Sequence, residues 1–444
     1  GWATNGMRRR RAASAGVCFM LIPVGAIARH KGPVECDRRG KRPWSATAGP
    51  KIKEQIMPEV VIVDAVRTPV GRAFKGSLAG LRPDETTAFV IDQLLERNSG
   101  VDPTTVEEVI CGCGLPQGLQ ANNIGRIAVL LSEHLTDATN GSTVSRYCAS
   151  GLDAIRIAAN NIASGQGDTY IAAGVEFVSR YNAAQEAGHP EDQNEKLQGK
   201  EPGQPDAYIA MGLTAENVAD KYGITREEQD EYAQLSQERA VAAQEAGVFA
   251  REIVAVTLPD GTVVDTDDGP RADSTVERLA SLKPAFREDG TVTAGNACPL
   301  NDGAAAALLM SADKAAELGL KPRARIITAA TAGNEPEYMG VAPIGAINKA
   351  LDRAGLTIDD IDVIELNEAF AAQVLPIARE VGFSIDKLNP HGGAIALGHP
   401  FGMTGVRIMT TLLNDLETLD GRYGLETMCV AQGQGEAMII ERLS

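Results

Sequence analysis

Ser145-Arg146-Tyr147-Cys148-Ala149-Ser150-Gly151-Leu152 sets a thiol where a helix begins. Beyond it, Leu152, Ile155, Ala158, Ala159 and Ile162 recur at the spacing of one helical face, which predicts a helix over 152–164. A helix start presents unpaired backbone N–H groups and the positive end of the macrodipole, and both favour a thiolate. Thiolate is the strongest nucleophile that unmodified side chains offer near neutral pH. The plain alternative is a small core residue capping a buried helix.

Three later segments supply companions for this thiol. His399 lies in the glycine-rich loop Gly392-Gly393-Ala394-Ile395-Ala396-Leu397-Gly398-His399-Pro400, where it can take a thiol proton or hydrogen-bond an oxyanion. Cys429 ends a strand just before Gly433-Gln434-Gly435, as a second acid/base or a buried strand cysteine. Asn367 opens Asn367-Glu368-Ala369-Phe370 and can cap the next helix or hold a water or carbonyl oxygen. Together they point to carbonyl chemistry with two thiols and a histidine. Spacing does not bring them together; a fold must.

Around these segments, strand and helix patterns alternate. Strands are expected at 60–63, 108–112, 169–174, 324–327 and 361–365. Helices are expected at 83–97, 124–135, 345–354 and 368–381, and a hairpin from 428–430 to 437–441. Alternation of this kind predicts a mainly parallel sheet covered on both faces, and the two stretches are alike enough to suggest an internal duplication. Between them, 179–299 is polar, with one charged helix over 226–246, and reads as a functional loop region.

A length of 444 residues implies two or three domains. The net charge of −17 argues against a nucleic-acid surface, yet leaves room for a local basic patch that holds a phosphorylated ligand. Seven dispersed cysteines suit a reducing compartment better than a disulfide framework, which points to the cytoplasm. Cys111 and Cys113 lack a second pair at metal-binding spacing and read as small strand residues. Gly112-Cys113-Gly114 lacks the third glycine of a dinucleotide fingerprint. Residues 1–56 stand apart, with Arg8 to Arg11 ahead of an apolar run too short to span a membrane. They read as a secretory signal, an organelle presequence that would move the protein to a matrix, or sequence upstream of a start at Met57.

The motifs Arg146-x-Cys148-x-Ser150-Gly151, Gly295-Asn296-Ala297 with Asn301-Asp302-Gly303-Ala304, Asn367-Glu368-Ala369-Phe370, Gly398-His399-Pro400 and Cys429 occur in one order. In that order the chain from Met57 to Ser444 resembles the thiolase superfamily, the 3-ketoacyl-CoA thiolases and acetyl-CoA acetyltransferases. The resemblance implies an α/β fold of duplicated βαβαβαββ halves in five αβαβα layers. It implies a first half over 57–178 and 301–320, an inserted loop domain over 179–300 and a second half over 321–444. It also implies a homodimer or homotetramer, CoA and acyl-CoA as substrates with no cofactor or metal, and a possible β-oxidation hydratase/dehydrogenase partner.

By that resemblance Cys148 accepts the acyl group, His399 activates it, Asn367 holds a water, and Cys429 is the second acid/base. The backbone N–H groups of Cys148 and Ala431 would face oxyanions; Arg271, Met211, Ala294, Cys298 and Phe370 would contact the CoA ester. The chain departs from the pattern at Ala431-Gln432-Gly433, where consecutive glycines are usual; an alanine keeps the donor but resists a positive φ. Cys298-Pro299 replaces a Ser-Gly, and Ser145 an Asn. Ala210, where acetoacetyl-specific members carry His, implies a less confined acyl pocket, and His391 resembles long-chain members. The expected activity is thiolysis of medium or functionalised 3-ketoacyl-CoA, in fatty-acid or related β-oxidation. Its rivals are a biosynthetic condensing thiolase, a decarboxylating condensing enzyme, a non-catalytic acyl-CoA binder and a structural β-oxidation subunit.

Overall fold

Val60–Arg67 (β1) carries apolar side chains on both faces and is buried throughout, as a strand at the centre of a sheet requires. It lies near the middle of a ten-stranded sheet in a computed structural model that describes residues 57–181 and 193–444. The extension 1–56, with Cys18 and Cys36, falls outside the described residues. The other principal strands are β2 (Glu108–Cys113), β3 (Asn140–Val144), β4 (Thr169–Phe177), β5 (Asn301–Ser311), β6 (Ala324–Gly333), β7 (Val363–Leu366), β8 (Tyr423–Val430) and β9 (Gln434–Arg442). Their spatial order is β7-β8-β9-β6-β1-β5-β4-β2-β3.

The sheet contains the same pattern twice. In the first half β3, β2 and β4 run parallel, and β5 then β1 continue antiparallel. In the second, β7 and β8 are parallel, and β9 then β6 continue antiparallel. Where β3 has no full counterpart, Leu388 makes a single parallel bridge to Ile364 of β7. The halves join through a short antiparallel contact, Val61 with Arg325 and Ile62 with Ala324. The mainly parallel sheet expected from the alternation is therefore corrected. Only the βαβ portion of each half is parallel, and each half closes on two strands that return antiparallel.

Three apolar clusters stack along the molecule. The outer one on the first half joins Val61 and Val66 to Val90, Ile91 and Leu94 of α1 (Pro83–Arg97) and Ile124 of α2 (Ile124–Leu131). The middle one takes the opposite faces of both halves, with Ile62 and Leu309 on one side and Met428 and Ile440 on the other. Between them lie Leu152, Ile155 and Ile162 of α3 (Ser150–Ala163) and Val406 and Met409 of α8 (Phe401–Thr418). The third packs Ala437 and Ile439 on α6 (Ala342–Ala354) and α7 (Ala371–Val381). These are five αβαβα layers, with α3 and α8 as the middle one.

The loop region is more helical than expected, with α4 (Met211–Tyr222) preceding the expected charged helix α5 (Arg226–Glu245), which starts on a Thr225/Glu228 capping box. Fully buried Arg67, at the end of β1, pairs with Glu252 at 2.8 Å and Asp267 at 2.7 Å and so holds the region to the sheet. Glu368 holds it from the other side, accepting from Tyr232 Oη (2.7 Å) and Ser236 Oγ (2.6 Å) of α5 and from Asn389 Nδ2 (2.7 Å). Asn389 also receives the Leu366 N–H and donates to the Leu366 carbonyl, both at 2.9 Å, and so caps the outer edge of β7. Among the described residues no helix is long and apolar enough to cross a membrane.

Backbones meet directly where α3 and α8 cross. A Cβ on Gly151 would lie 2.7 Å from the Gly402 carbonyl oxygen, and one on Gly405 would lie 2.1 Å from the Leu152 nitrogen. Gly405→Ala therefore pits a helix-propensity gain of about 1 kcal/mol against a backbone clash. The expected outcome is a lowered Tm in thermal unfolding. An unchanged or raised Tm would show that the helices do not cross this closely.

Candidate active site

Tyr147–Ala149 is a short 3₁₀ turn linking β3 to α3, and Tyr147 takes the left-handed φ of +43°. For an aromatic residue that is a strained conformation, held only where surroundings over-determine it. Ser150 does so: its Oγ accepts the Arg146 N–H at 2.8 Å and donates to the Tyr147 carbonyl at 2.6 Å. Cys148 is thereby fixed at the head of α3 and buried at 9% exposure.

His399 is placed by its backbone and its ring. Its N–H donates to Asn301 Oδ1 at 3.0 Å, and Leu300 bridges it in parallel, so the Asn301-Asp302-Gly303 motif anchors the histidine loop. Gly398, at φ +108°, passes Asn301 too closely for any side chain. The ring Nδ1 lies 2.7 Å from Thr404 Oγ1, and the Thr404 hydroxyl proton is donated to the Pro400 carbonyl at 2.7 Å. With its one proton spent, Thr404 must accept, so Nδ1 carries the ring hydrogen and Nε2 is the acceptor. Asn367 Nδ2 donates to that Nε2 at 3.3 Å, while the buried Asn367 Oδ1 has no partner among the described residues.

Cys429 is fully buried at the end of β8. Gln373 of α7 contacts its sulfur through both amide atoms, Nε2 at 3.2 Å and Oε1 at 3.3 Å, and reaches the Asn367 carbonyl oxygen at 3.4 Å. Cys429 in turn acts electrostatically on Cys148, and the backbone N–H of Ala431 favours the ionised form of that sulfur. A hydrogen-bonded path thus runs from Cys429 through Gln373 and Asn367 to His399, with Cys148 within electrostatic reach of Cys429. The hairpin places its left-handed residues at Gln432 (φ +66°) and Gly433 (φ +75°), not at Ala431. The alanine is accommodated, and its N–H faces the first thiol.

The remaining nominated residues fall into two groups. Met211, Cys298 and Phe370 pack with Cys429 in one apolar cluster. Ala294 and Arg271 line a cleft with Arg72 and Arg278. The segment between is pinned by Cys298 N–H donating to the Ala369 carbonyl at 3.0 Å and by a bridge from Ala297 to Phe370. Burial and the Arg72 charge pull the Arg271 guanidinium below its usual range. His391 is bonded to Asp415 of α8 at 2.5 Å, which raises its pKa. Cys111 and Cys113 are buried in the outer core, and among the described residues no group of three or more His, Cys, Asp or Glu is arranged around a metal. Sequence reasoning missed Gln373, Thr404 and Asn301 as supports. Neither Gln373 nor Thr404 carries a signal in the sequence, while Asn301 lies in a motif without any sign of the loop it anchors.

The resting groups are neutral. Burial pushes the Cys148 thiol well up, reinforced by Cys429 and Cys298, while the Ala431 bond acts in the opposite direction. The thiolate expected from the helix start is thus overridden by desolvation. Burial raises Cys429 to about 11, opposed by Gln373. Burial, with the Arg407 charge second, lowers His399 to about 3.

The chain matches the family description Thiolase, N-terminal domain, over residues 60–313, and Thiolase, C-terminal domain, over residues 320–442. It is 47% identical over 405 residues to a beta-ketoadipyl-CoA thiolase of Acinetobacter baylyi, covering 87% of this chain and all of the relative. An acetyl-CoA acetyltransferase of Pseudomonas aeruginosa is 45% identical over 399 residues, with the same 87% and 100% coverage. The crystal structure of the Bacillus anthracis acetyl-CoA acetyltransferase superposes with a TM-score of 0.81 at 41% identity, covering 87% of this chain and 100% of that one.

The depressed His399 pKa has a pH consequence. Between about pH 6.5 and 3 the unfolded chain binds a proton that the folded one refuses, so stability is full above 6.5 and falls as pH drops. The slope for one such group is about 1.4 kcal/mol per pH unit. In denaturant unfolding from pH 6.5 to 4.5, His399→Gln should lose less stability than the parent. Parallel losses would place the histidine in a wetter site.

Proposed function

The chain belongs to the thiolase family of acyltransferases, and from that premise we propose that it cleaves 3-ketoacyl-CoA with CoA, through an acyl-enzyme on Cys148, to acetyl-CoA and a shortened acyl-CoA. The observation that supports this reading is the hydrogen-bonded path from the buried Cys429 thiol through Gln373 and Asn367 to a histidine of fixed tautomer, with the buried Cys148 thiol within electrostatic reach of Cys429. His399 Nε2 takes the Cys148 proton as the sulfur bonds to the ketone carbon. The Cα–Cβ bond breaks, its electron pair becomes the acetyl-CoA enolate, and Cys429 S–H protonates that enolate. Asn367 and His399 face the enolate oxygen, and the Ala431 N–H serves the oxyanion at Cys148. In the second half, the Cys429 thiolate takes the proton of CoA, whose sulfur attacks the acyl carbon. Cys148 leaves and recovers its proton from His399, and the alternation predicts ping-pong kinetics.

Neutral resting groups suit this chemistry: a dry site with donors already aimed stabilises an enolate more than a solvated one would. The cleft lined by Arg72, Arg271 and Arg278, with Asp273 paired to Arg278, keeps a net positive charge for the CoA phosphates on a chain of net charge −17. The beta-ketoadipyl-CoA thiolases among the relatives favour a 3-keto dicarboxylyl chain over a plain fatty acyl chain. The relatives called acetyl-CoA acetyltransferases keep condensation of two acetyl-CoA as the second reading.

The test is CoA-dependent loss of 3-ketoacyl-CoA absorbance across a chain-length series that includes 3-ketoadipyl-CoA. The dicarboxylyl ester should give the highest kcat/KM, and Cys148→Ser should lose roughly a thousandfold or more. Undiminished turnover by Cys148→Ser would overturn the acyl-enzyme. CoA binding without turnover of any ester would make the protein a binder.

A further inference from the structure

We propose that Gln373 is the positioning residue that lets Cys429 alternate between thiol and thiolate without rearrangement of its surroundings. The proposal rests on the thiolytic reading for its kinetic consequence, but its structural content stands apart from it. Gln373 is buried on α7, and its side-chain amide presents both ends to one sulfur, Nε2 at 3.2 Å and Oε1 at 3.3 Å. The two contacts answer to two protonation states. A thiol donates its S–H to Oε1, which can only accept; a thiolate has nothing to donate and accepts from Nε2–H. The orientation of the amide is not free. The second Nε2 hydrogen is directed at the Asn367 carbonyl oxygen at 3.4 Å, an acceptor that would face another acceptor if the amide were flipped.

A proton can therefore leave and return to Cys429 while Gln373 stays in one rotamer. In a site closed to water, a partner already in place for both states removes the reorganisation that each half-reaction would otherwise incur. The same amide holds the peptide of Asn367, so the acid/base sulfur and the Asn367–His399 pair are set at a fixed separation by one side chain. Packing alone does not require this. A Cβ added to Gly340 would lie 2.9 Å from Gln373 Cβ, so the glycine makes room for the base of this side chain, and an unbranched apolar side chain of equal length would fill the same space.

Two variants of equal length test it. Gln373→Met keeps the volume and removes both hydrogen bonds; Gln373→Glu keeps the shape and sets an acidic acceptor beside the sulfur. The first readout is the infrared S–H stretch of Cys429, isolated by subtracting the spectrum of the matching Cys429→Ala protein. It should move to higher frequency in Gln373→Met, and an unmoved band overturns the proposal whatever the enzyme's substrate. The second readout is thiolysis. In Gln373→Met, kcat should fall roughly tenfold to a hundredfold, the cost of one hydrogen bond to an ionised sulfur, with KM nearly unchanged. The basic limb of the pH profile, where Cys429 must still be a thiol, should move to higher pH, and further in Gln373→Glu. A purely structural role predicts wild-type kcat and an unmoved limb in Gln373→Met, which would equally overturn the proposal. A wild-type protein that cleaves no 3-ketoacyl-CoA, yet whose S–H band shifts as expected, would overturn the thiolytic reading and leave the hydrogen-bond assignment standing.

Discussion

A side chain on Gly405 would sit 2.1 Å from the Leu152 nitrogen, so α3 and α8 touch backbone to backbone, and their approach is fixed by peptide geometry rather than by deformable side chains. The rest of the site follows from that contact. The two helices occupy equivalent places in the two halves, each after the position of the third strand and before the fourth. Their heads carry Cys148 and His399, so a repeat of one topology delivers a nucleophile from one copy and a base from the other. Gly174 of β4, whose Cβ would fall 2.4 Å from the Gly402 carbonyl oxygen, extends the same tight seam into the sheet.

Electrostatics in the seam run against the simplest reading of a helix terminus. The macrodipole is worth about 0.3–1 kcal/mol at exposed positions. Desolvation of a fully buried thiolate costs several times that, and it decides the protonation of Cys148, Cys429 and His399 alike. What the fold supplies is a set of aimed donors: the Ala431 N–H, the Asn367 amide, and a histidine whose tautomer Thr404 dictates. Such donors are of little use to a neutral resting site and of great use to one where charge develops.

How much of this could be read in advance depends on what each residue has to advertise. Helix α1 was legible to its ends, because Pro83 opens it, Asp84 and Glu85 suit its first turn, and its core face recurs with helical period. Strand β5 was not, since Asn-Asp-Gly and four successive alanines carry no strand signal, and alanine is depleted in strands. Helix α8 was hidden for a different reason: Thr404, Arg407, Thr411 and Asn414 do recur at helical spacing, but this polar stripe is buried and follows directly on the Gly-rich loop, so it does not read as a solvent-facing side. In the site, the residues with reactive chemistry stood out within motifs, and their expected assembly waited on a fold to close the sequence gap from Cys148 to Cys429. Gln373 and Thr404 stayed hidden because a lone amide or hydroxyl in a helix looks ordinary until its partner is known. Ala431 misled in a third way. The strain that its turn requires is carried by the next two residues, which a residue-by-residue comparison cannot reveal.

The two ends of the sheet are finished differently. At one, the side-chain amide of Asn389 occupies both the donor and the acceptor of Leu366, so β7 has no ladder left to offer there. At the other, β3 ends the order and, among the described residues, pairs only with β2. A sheet with one open edge can be prolonged by a like chain once, about a twofold axis, after which neither copy has a template to give. Asn389, bonded to both chain neighbours of Asn367, thus closes this edge of the sheet to backbone pairing with any further strand.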